Sequence, residues 1–163
     1  MKDRSSCTLA DGFSIGEKIY AQTSFHVMGI TGTVGIALAD WPWVLPYLFV
    51  YVYGILGVIM RHLNCPRCPH LFEHGDCLQL PARWARMLVV GRKTTPFSRT
   101  ERALFYGIFT FLPLYPLYWL LTRPILLIPF LVGTAAWYLG QWLYFCRRCR
   151  VEQCPRNRAP RTI

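Results

Sequence analysis

The chain has 163 residues, of which 15% are aromatic and only 16% charged, and its formal net charge is +10. A soluble domain of this size spreads charge over every exposed face. Here charge is confined to a few segments, which excludes an ordinary soluble fold. Nucleic-acid binding is not expected either, because basic residues gathered beside apolar runs are already accounted for by a membrane surface.

A hydrocarbon core about 30 Å thick takes roughly 20 mainly apolar residues per helix. Several stretches reach that length, so the sequence predicts an all-α integral membrane protein: one domain over 1–163, built as a bundle of four transmembrane helices. After an N-terminal tail, 1–19, the first span covers about 20–39. Gly29, Gly32, Gly35 and several threonines interrupt it, so it is expected inside the bundle, where glycines let a neighbouring helix come close. Ala37-Leu38-Ala39 has the look of a signal-peptide cleavage site, but the glycine-rich stretch and long lead-in before it read as a retained span. "DWPW", 40–43, turns the chain with tryptophans at interface depth, and 44–60 forms a second, almost wholly apolar span.

A loop over 61–102 follows. Within it, 81–90 reads as a short helix with Leu80, Trp84, Met87 and Leu88 on one face and Arg83 and Arg86 off it. That pattern suits a helix lying in the headgroup plane, or equally one packed on other loop segments. "SRTE" supplies a Ser98/Glu101 capping box for the third span, 103–121, which Pro113 and Pro116 should kink. "TRP", 122–124, is a tight turn before the fourth span, 125–145. A cysteine-rich C-terminal tail, 146–163, ends the chain.

All but Arg123 of the 18 Lys and Arg fall in the two tails and the 61–102 loop. The positive-inside rule puts both termini and that loop in the cytoplasm, with a bacterial or archaeal inner membrane as the setting. The same residues attract anionic headgroups, by about 1 kcal/mol each near the surface. The lipid bilayer is therefore one partner, and a protein partner is expected at the cytoplasmic face.

Six of the seven cysteines form two groups: Cys65, Cys68 and Cys77, then Cys146, Cys149 and Cys154. Cys7 stands alone and is read as a packing residue. The cytoplasm is reducing, which disfavours structural disulfides and favours metal or redox chemistry. A C-x2-C turn aims two thiolates at one ion, and two such turns make the four-sulfur tetrahedron that suits zinc or iron. Cys65 and Cys146 leave their spans at nearly the same depth, so Cys65, Cys68, Cys146 and Cys149 are the first choice for one site, provided spans two and four are neighbours. Cys77, Cys154, His70 and His74 are additional candidates, while His26 and His62 read as interfacial polar residues. Four thiolates on one zinc leave a charge of about −2. Arg67, Arg147, Arg148 and Arg150 interleave with the ligands and would balance it, or would hold lipid phosphates.

The Cys154-Pro155 pair resembles the last ligand of bacterial ferredoxin runs, although C-x2-C-x8-C and C-x2-C-x4-C are not ferredoxin spacings. "CPRC" resembles a zinc-ribbon knuckle without its following glycine.

The spans carry no Lys, Arg, Asp or Glu, which argues against ion-coupled transport. "GFSIG", 12–16, matches G-x-S-x-G, yet no strand precedes it to form a nucleophile elbow. No other catalytic motif is present, so a stand-alone enzyme is not expected. Two readings follow. Either an iron–sulfur centre at the cytoplasmic face makes this an electron-transfer or accessory subunit, with a quinone as a further cofactor, or zinc staples loop and tail into a scaffold for a partner protein or anionic lipid.

Overall fold

The computed structural model describes residues 12–151 and 154–159; Cys7 and most of the N-terminal tail lie outside the described residues, as does the end of the C-terminal tail. Among the described residues every regular element is helical.

Helix α1, Ile15–Ala39, opens on a capping box that was not read from the sequence. Ser14 Oγ accepts from the Glu17 N–H at 3.3 Å, and the Glu17 carboxylate accepts from the Ser14 N–H at 2.6 Å. Its hydroxyls are satisfied within the helix, Ser24 donating to Tyr20 O at 2.7 Å and Thr33 to Gly29 O at 2.8 Å. Polar residues are therefore tolerated on a helix whose other side is buried.

Helix α2 is Val44–Leu48 continued by Phe49–Leu63. The second part winds more widely, with N–H groups reaching back five residues, as Asn64 does to Ile59 O at 2.8 Å. Two short helices follow in the loop, α3 over Pro69–Glu73 and α4 over Ala82–Leu88. Of the two sequence readings of α4, packing on other loop segments is the one seen. Ala85 is fully buried against Met60 and Leu71, while Trp84 and Met87 remain exposed.

Helix α5, Arg99–Leu120, begins at the expected Ser98/Glu101 capping box and runs unbroken through Pro113 and Pro116. Pro113 has no N–H to offer the Phe109 carbonyl one turn earlier. The Tyr138 hydroxyl donates to that carbonyl instead, which ties α5 to α6. Helix α6, Pro124–Gly140, continues as the widely wound Gln141–Phe145. Both cysteine-bearing helices thus end in wide turns just before their C-x2-C pairs.

Three helical stretches are long and apolar enough to cross a membrane: Trp41–Arg67, Arg99–Leu120 and Pro124–Arg148. The 25-residue α1 is long enough but is not among them, since Gln22, Thr23, Ser24, His26 and its glycines dilute its apolar character. It packs along α6 and α5 on one face and leaves Ile19, Ile30, Val34 and Leu38 exposed on the other, so it is not enclosed by the bundle as its glycines led one to expect. Gly29 faces the Tyr51 ring, Gly32 faces Tyr47 and Pro116, and Gly35 faces Leu120. Outer faces carry exposed Leu45, Phe49, Leu121, Ile125, Ile128 and Val132, an apolar surface compatible with bilayer contact. Arg123 donates to Leu38 O at 3.2 Å at the end of the bundle away from the cysteines.

One expectation is corrected. α2 and α6, which carry the two C-x2-C turns, are not packed neighbours, because α2 packs on α5 and α1, and these in turn pack on α6. Gly133 and Gly140 let α6 approach α1 closely, while the glycines of α1 admit Tyr47 and Tyr51 of α2 and Pro116 and Leu120 of α5, and the α2–α6 pair is left on a diagonal.

The α1–α6 crossing is tightest at Gly133, where an added Cβ would lie 3.0 Å from Met28 N and 3.2 Å from Ser24 O, both backbone atoms. Backbone cannot swing aside as a side chain does. We expect Gly133→Val to cost about 1–3 kcal/mol by overpacking, seen as a lower thermal midpoint in detergent. Gly107→Ala, with nothing within 4 Å of its added Cβ, should not destabilise and should gain about 0.5–1 kcal/mol of helix propensity.

Candidate metal centre

Each cysteine group is a compact turn. The chain leaves α2 at Asn64, and Cys68 N–H bonds to Cys65 O at 3.1 Å across the C-P-R-C turn. Pro69 starts α3, and Gly75, at φ +64°, then reverses the chain and brings Cys77 back towards Cys65. Their sulfurs are in hydrogen-bond contact. The tail mirrors this arrangement. After Cys146 and Cys149, the buried Val151 anchors the turn. Asn157 Nδ2 bonds to Val151 O at 2.8 Å and Cys149 O at 3.1 Å, and Arg158 N–H closes the turn onto Cys146 O at 2.9 Å.

All six cysteines line a single cavity of about 160 Å³ at this end of the bundle. The loop supplies three and the tail three, so loop and tail meet across the diagonal that separates α2 from α6. Deeper walls come from all four long helices, through Phe25, Ile55, Ile59, Phe109 and Trp137. His70 also lines the cavity, 1% exposed, with its ring 4.9 Å from that of Phe13. His74 does not line it and is exposed, its ring 6.3 Å from that of His70.

Four sulfurs accept backbone N–H groups from residues two or three positions further on. Cys68 accepts from His70 and Leu71, Cys77 from Gln79 and Leu80, and Cys154 from Arg156 and Asn157. Cys149 accepts from Val151 at 3.5 Å. Such bonds favour the thiolate form. Burial opposes them and pushes the Cys68 thiol up to about 11 and that of Cys149 up to about 12, and it raises Cys154 as well. The hydrogen bond with Cys65 instead draws Cys77 down to about 6. Most of these sulfurs are therefore thiols at neutral pH, and a bound cation would have to displace their protons.

Among the described residues, no three Cys, His, Asp or Glu side chains stand close enough together to hold an ion. Sulfur donors are the type a thiophilic metal takes, but as placed they form no ligand shell. Gathering four sulfurs to about 2.3 Å from one ion requires the loop and tail turns to close further over the cavity.

The arginines chosen from sequence divide differently. Arg67 does not face the thiolates. Its guanidinium is 1% exposed and donates to Leu63 O at 2.8 Å, Thr95 O at 2.7 Å and the Glu101 carboxylate at 3.0 Å, above the Phe97 ring at 4.4 Å. Arg148 pairs with Glu17 at 2.8 Å. Arg147 is exposed on the last helical turn and Arg150 is half-buried in the tail. The cations acting on Cys146 are Arg156 and Arg158, and Arg156 acts also on Cys154. Neither was singled out from sequence, because both lie beyond the cysteine run and only the back-folded tail brings them over it.

A second tie joins the N-terminus to the loop. The Asp76 carboxylate accepts from Phe13 N–H at 2.6 Å and Cys77 N–H at 2.9 Å, and pairs with Lys18 at 2.5 Å. Burial alone would raise its pKa, but these partners hold it below its ordinary value. Because the folded pKa lies below the unfolded one, the stabilisation is complete above about pH 4 and fades as pH falls through the lowered value. The thermal-midpoint gap between wild type and Asp76→Asn should accordingly be full at neutral pH and narrow in acid. A gap independent of pH would contradict this assignment.

No protein-family model matches the chain, and no curated protein or solved structure is detectably similar to it.

Proposed function

We propose that this protein is an integral membrane subunit that holds an iron–sulfur centre between its cysteine loop and its tail, and that it passes electrons between a soluble partner protein and the bilayer. The observation that carries the reading is the convergence of six cysteines on one cavity wall, four of them with backbone N–H groups directed at sulfur. Hydrogen bonds to the sulfurs are among the levers that set cluster potential. The ligands are drawn from Cys65, Cys68, Cys77, Cys146, Cys149 and Cys154, with the first C-x2-C set of Cys65, Cys68, Cys146 and Cys149 as the starting assignment.

Zinc would serve the same donors but would serve a different purpose, to staple the loop. The loop's own ties, Arg67 to Glu101, Lys18 to Asp76 and Arg86 to Leu71 O at 3.1 Å, do not reach the tail, so zinc joining loop to tail is the second reading of the same donors.

In this reading α1 forms the fourth span. Both termini and the cysteine end face the cytoplasm of a bacterium or archaeon, because in the sequence all Lys and Arg but Arg123 fall in the two tails and the 61–102 loop. Exposed Arg147 and Trp84 sit where headgroups would meet the cytoplasmic face. Optical spectra of the protein purified without oxygen test the assignment. A broad absorption near about 400 nm that bleaches on reduction is expected of an iron–sulfur centre. Colourless protein with stoichiometric zinc would replace electron transfer with a scaffold.

A further inference from the structure

Beneath the cysteines the same cavity becomes aromatic. Along α6, Cys146 stands about 14 Å above Trp137 at 1.5 Å per residue, so a metal centre at the rim leaves the deeper end open. Phe25 from α1, Phe109 from α5 and Trp137 from α6 wall that end. The Phe109 and Trp137 rings are stacked at 5.3 Å, and Phe25 lies 5.6 Å from Trp137. The guanidinium of Arg156 lies over Trp137 at 5.8 Å and over Phe109 at 5.6 Å.

The wall has one unmet demand. Trp137 is 5% exposed, and its indole N–H is buried without a hydrogen-bond partner. A buried donor left unpaired is destabilising, so native proteins supply an acceptor. A water there would have Gln141 and Arg156 as further partners but would leave the apolar walls of Phe25, Phe109 and Ile59 without a matching contact. Gln141, one turn along α6, also lines the cavity and is half-buried. An occupant matched to both the aromatic walls and the Trp137 N–H is mostly apolar and flat and presents an acceptor oxygen.

We propose that the aromatic end of this cavity binds the head ring of a quinone, with a ring carbonyl accepting from Trp137 Nε1–H and Gln141 beside it. The ring is lipid-soluble, which suits a cavity built within apolar helices. Its redox meaning rests on the iron–sulfur reading, whereas its binding does not.

The probe is tetramethyl-1,4-benzoquinone, whose ring has no open carbon for a cysteine to add to. Calorimetric titration into the detergent-purified full chain should give saturable one-to-one binding. Trp137→Phe keeps the aromatic wall and removes only the donor. It should weaken binding about tenfold, as the loss of one hydrogen bond does. Gln141→Leu should weaken it in the same direction, and Trp142→Phe, at an outward-facing position, should leave it unchanged. Uptake without saturation, or one affinity for all four proteins, overturns the proposal. Cys149→Ser separates the two readings: undiminished quinone binding by protein that has lost its metal supports the ring site on its own, and loss of binding there overturns its independence.

Discussion

Cys68→Ser and Cys149→Ser, made separately, should each deprive the purified protein of the same metal. The two positions are 81 residues apart in sequence but line one cavity, and each sulfur receives backbone N–H bonds from its own turn. Removing an outer partner of a ligand costs about 10–100-fold in metal affinity, and removing the ligand itself should exceed that. Serine preserves shape and leaves the turns free to form, so a folded, metal-depleted protein is the expected product. The readout is elemental analysis beside a helical circular-dichroism spectrum. If Cys68→Ser loses metal while Cys149→Ser retains it in full, loop and tail are separate sites.

Arg67→Ala should be the most destabilising single change outside the cysteines. The guanidinium satisfies two carbonyls and the Glu101 carboxylate at once while covering Phe97. Truncation strands the two carbonyls, at about 1–3 kcal/mol for each buried acceptor left unpaired, while Glu101 keeps Lys93 at 3.3 Å and the Ser98 N–H at 2.9 Å. Lysine cannot replace the planar fork, so Arg67→Lys should recover only part of the loss. Glu101→Gln should cost less, because the carbonyl bonds survive. Denaturation in detergent, followed by circular dichroism, ranks the three. Arg67 sits between Cys65 and Cys68, so its loss should also loosen the C-P-R-C turn and lower metal retention. An Arg67→Ala protein as stable as wild type would contradict this account of the loop.

What could be read from the sequence was what is local. The Ser98/Glu101 box is visible because its partners are three residues apart, and the C-x2-C turns are visible for the same reason. Gly29, Gly32 and Gly35 recur at helical spacing, and that periodicity alone marks a face where another helix can come close. Packing order is another matter. Nothing in residues 44–63 or 124–145 states that α1 and α5 separate those helices, because the order follows from which surfaces interdigitate best. Arg67 was misread for a related reason: its nearest residues in sequence are cysteines, but its partner Glu101 is 34 positions away. Arg156 shows the converse, since it reaches the sulfurs only through the fold of the tail. The amide-to-sulfur bonds follow from turn conformation, which the C-x2-C pattern suggests but Cys77 and Cys154 do not advertise. The unpaired Trp137 N–H was invisible in an aromatic-rich span, where one tryptophan reads like another.

X-ray absorption at the metal edge of the anaerobically purified protein tests the central claim most directly. The account predicts about four sulfur neighbours per metal near 2.3 Å. A metal-free protein, or a shell made of nitrogen and oxygen alone, would contradict it.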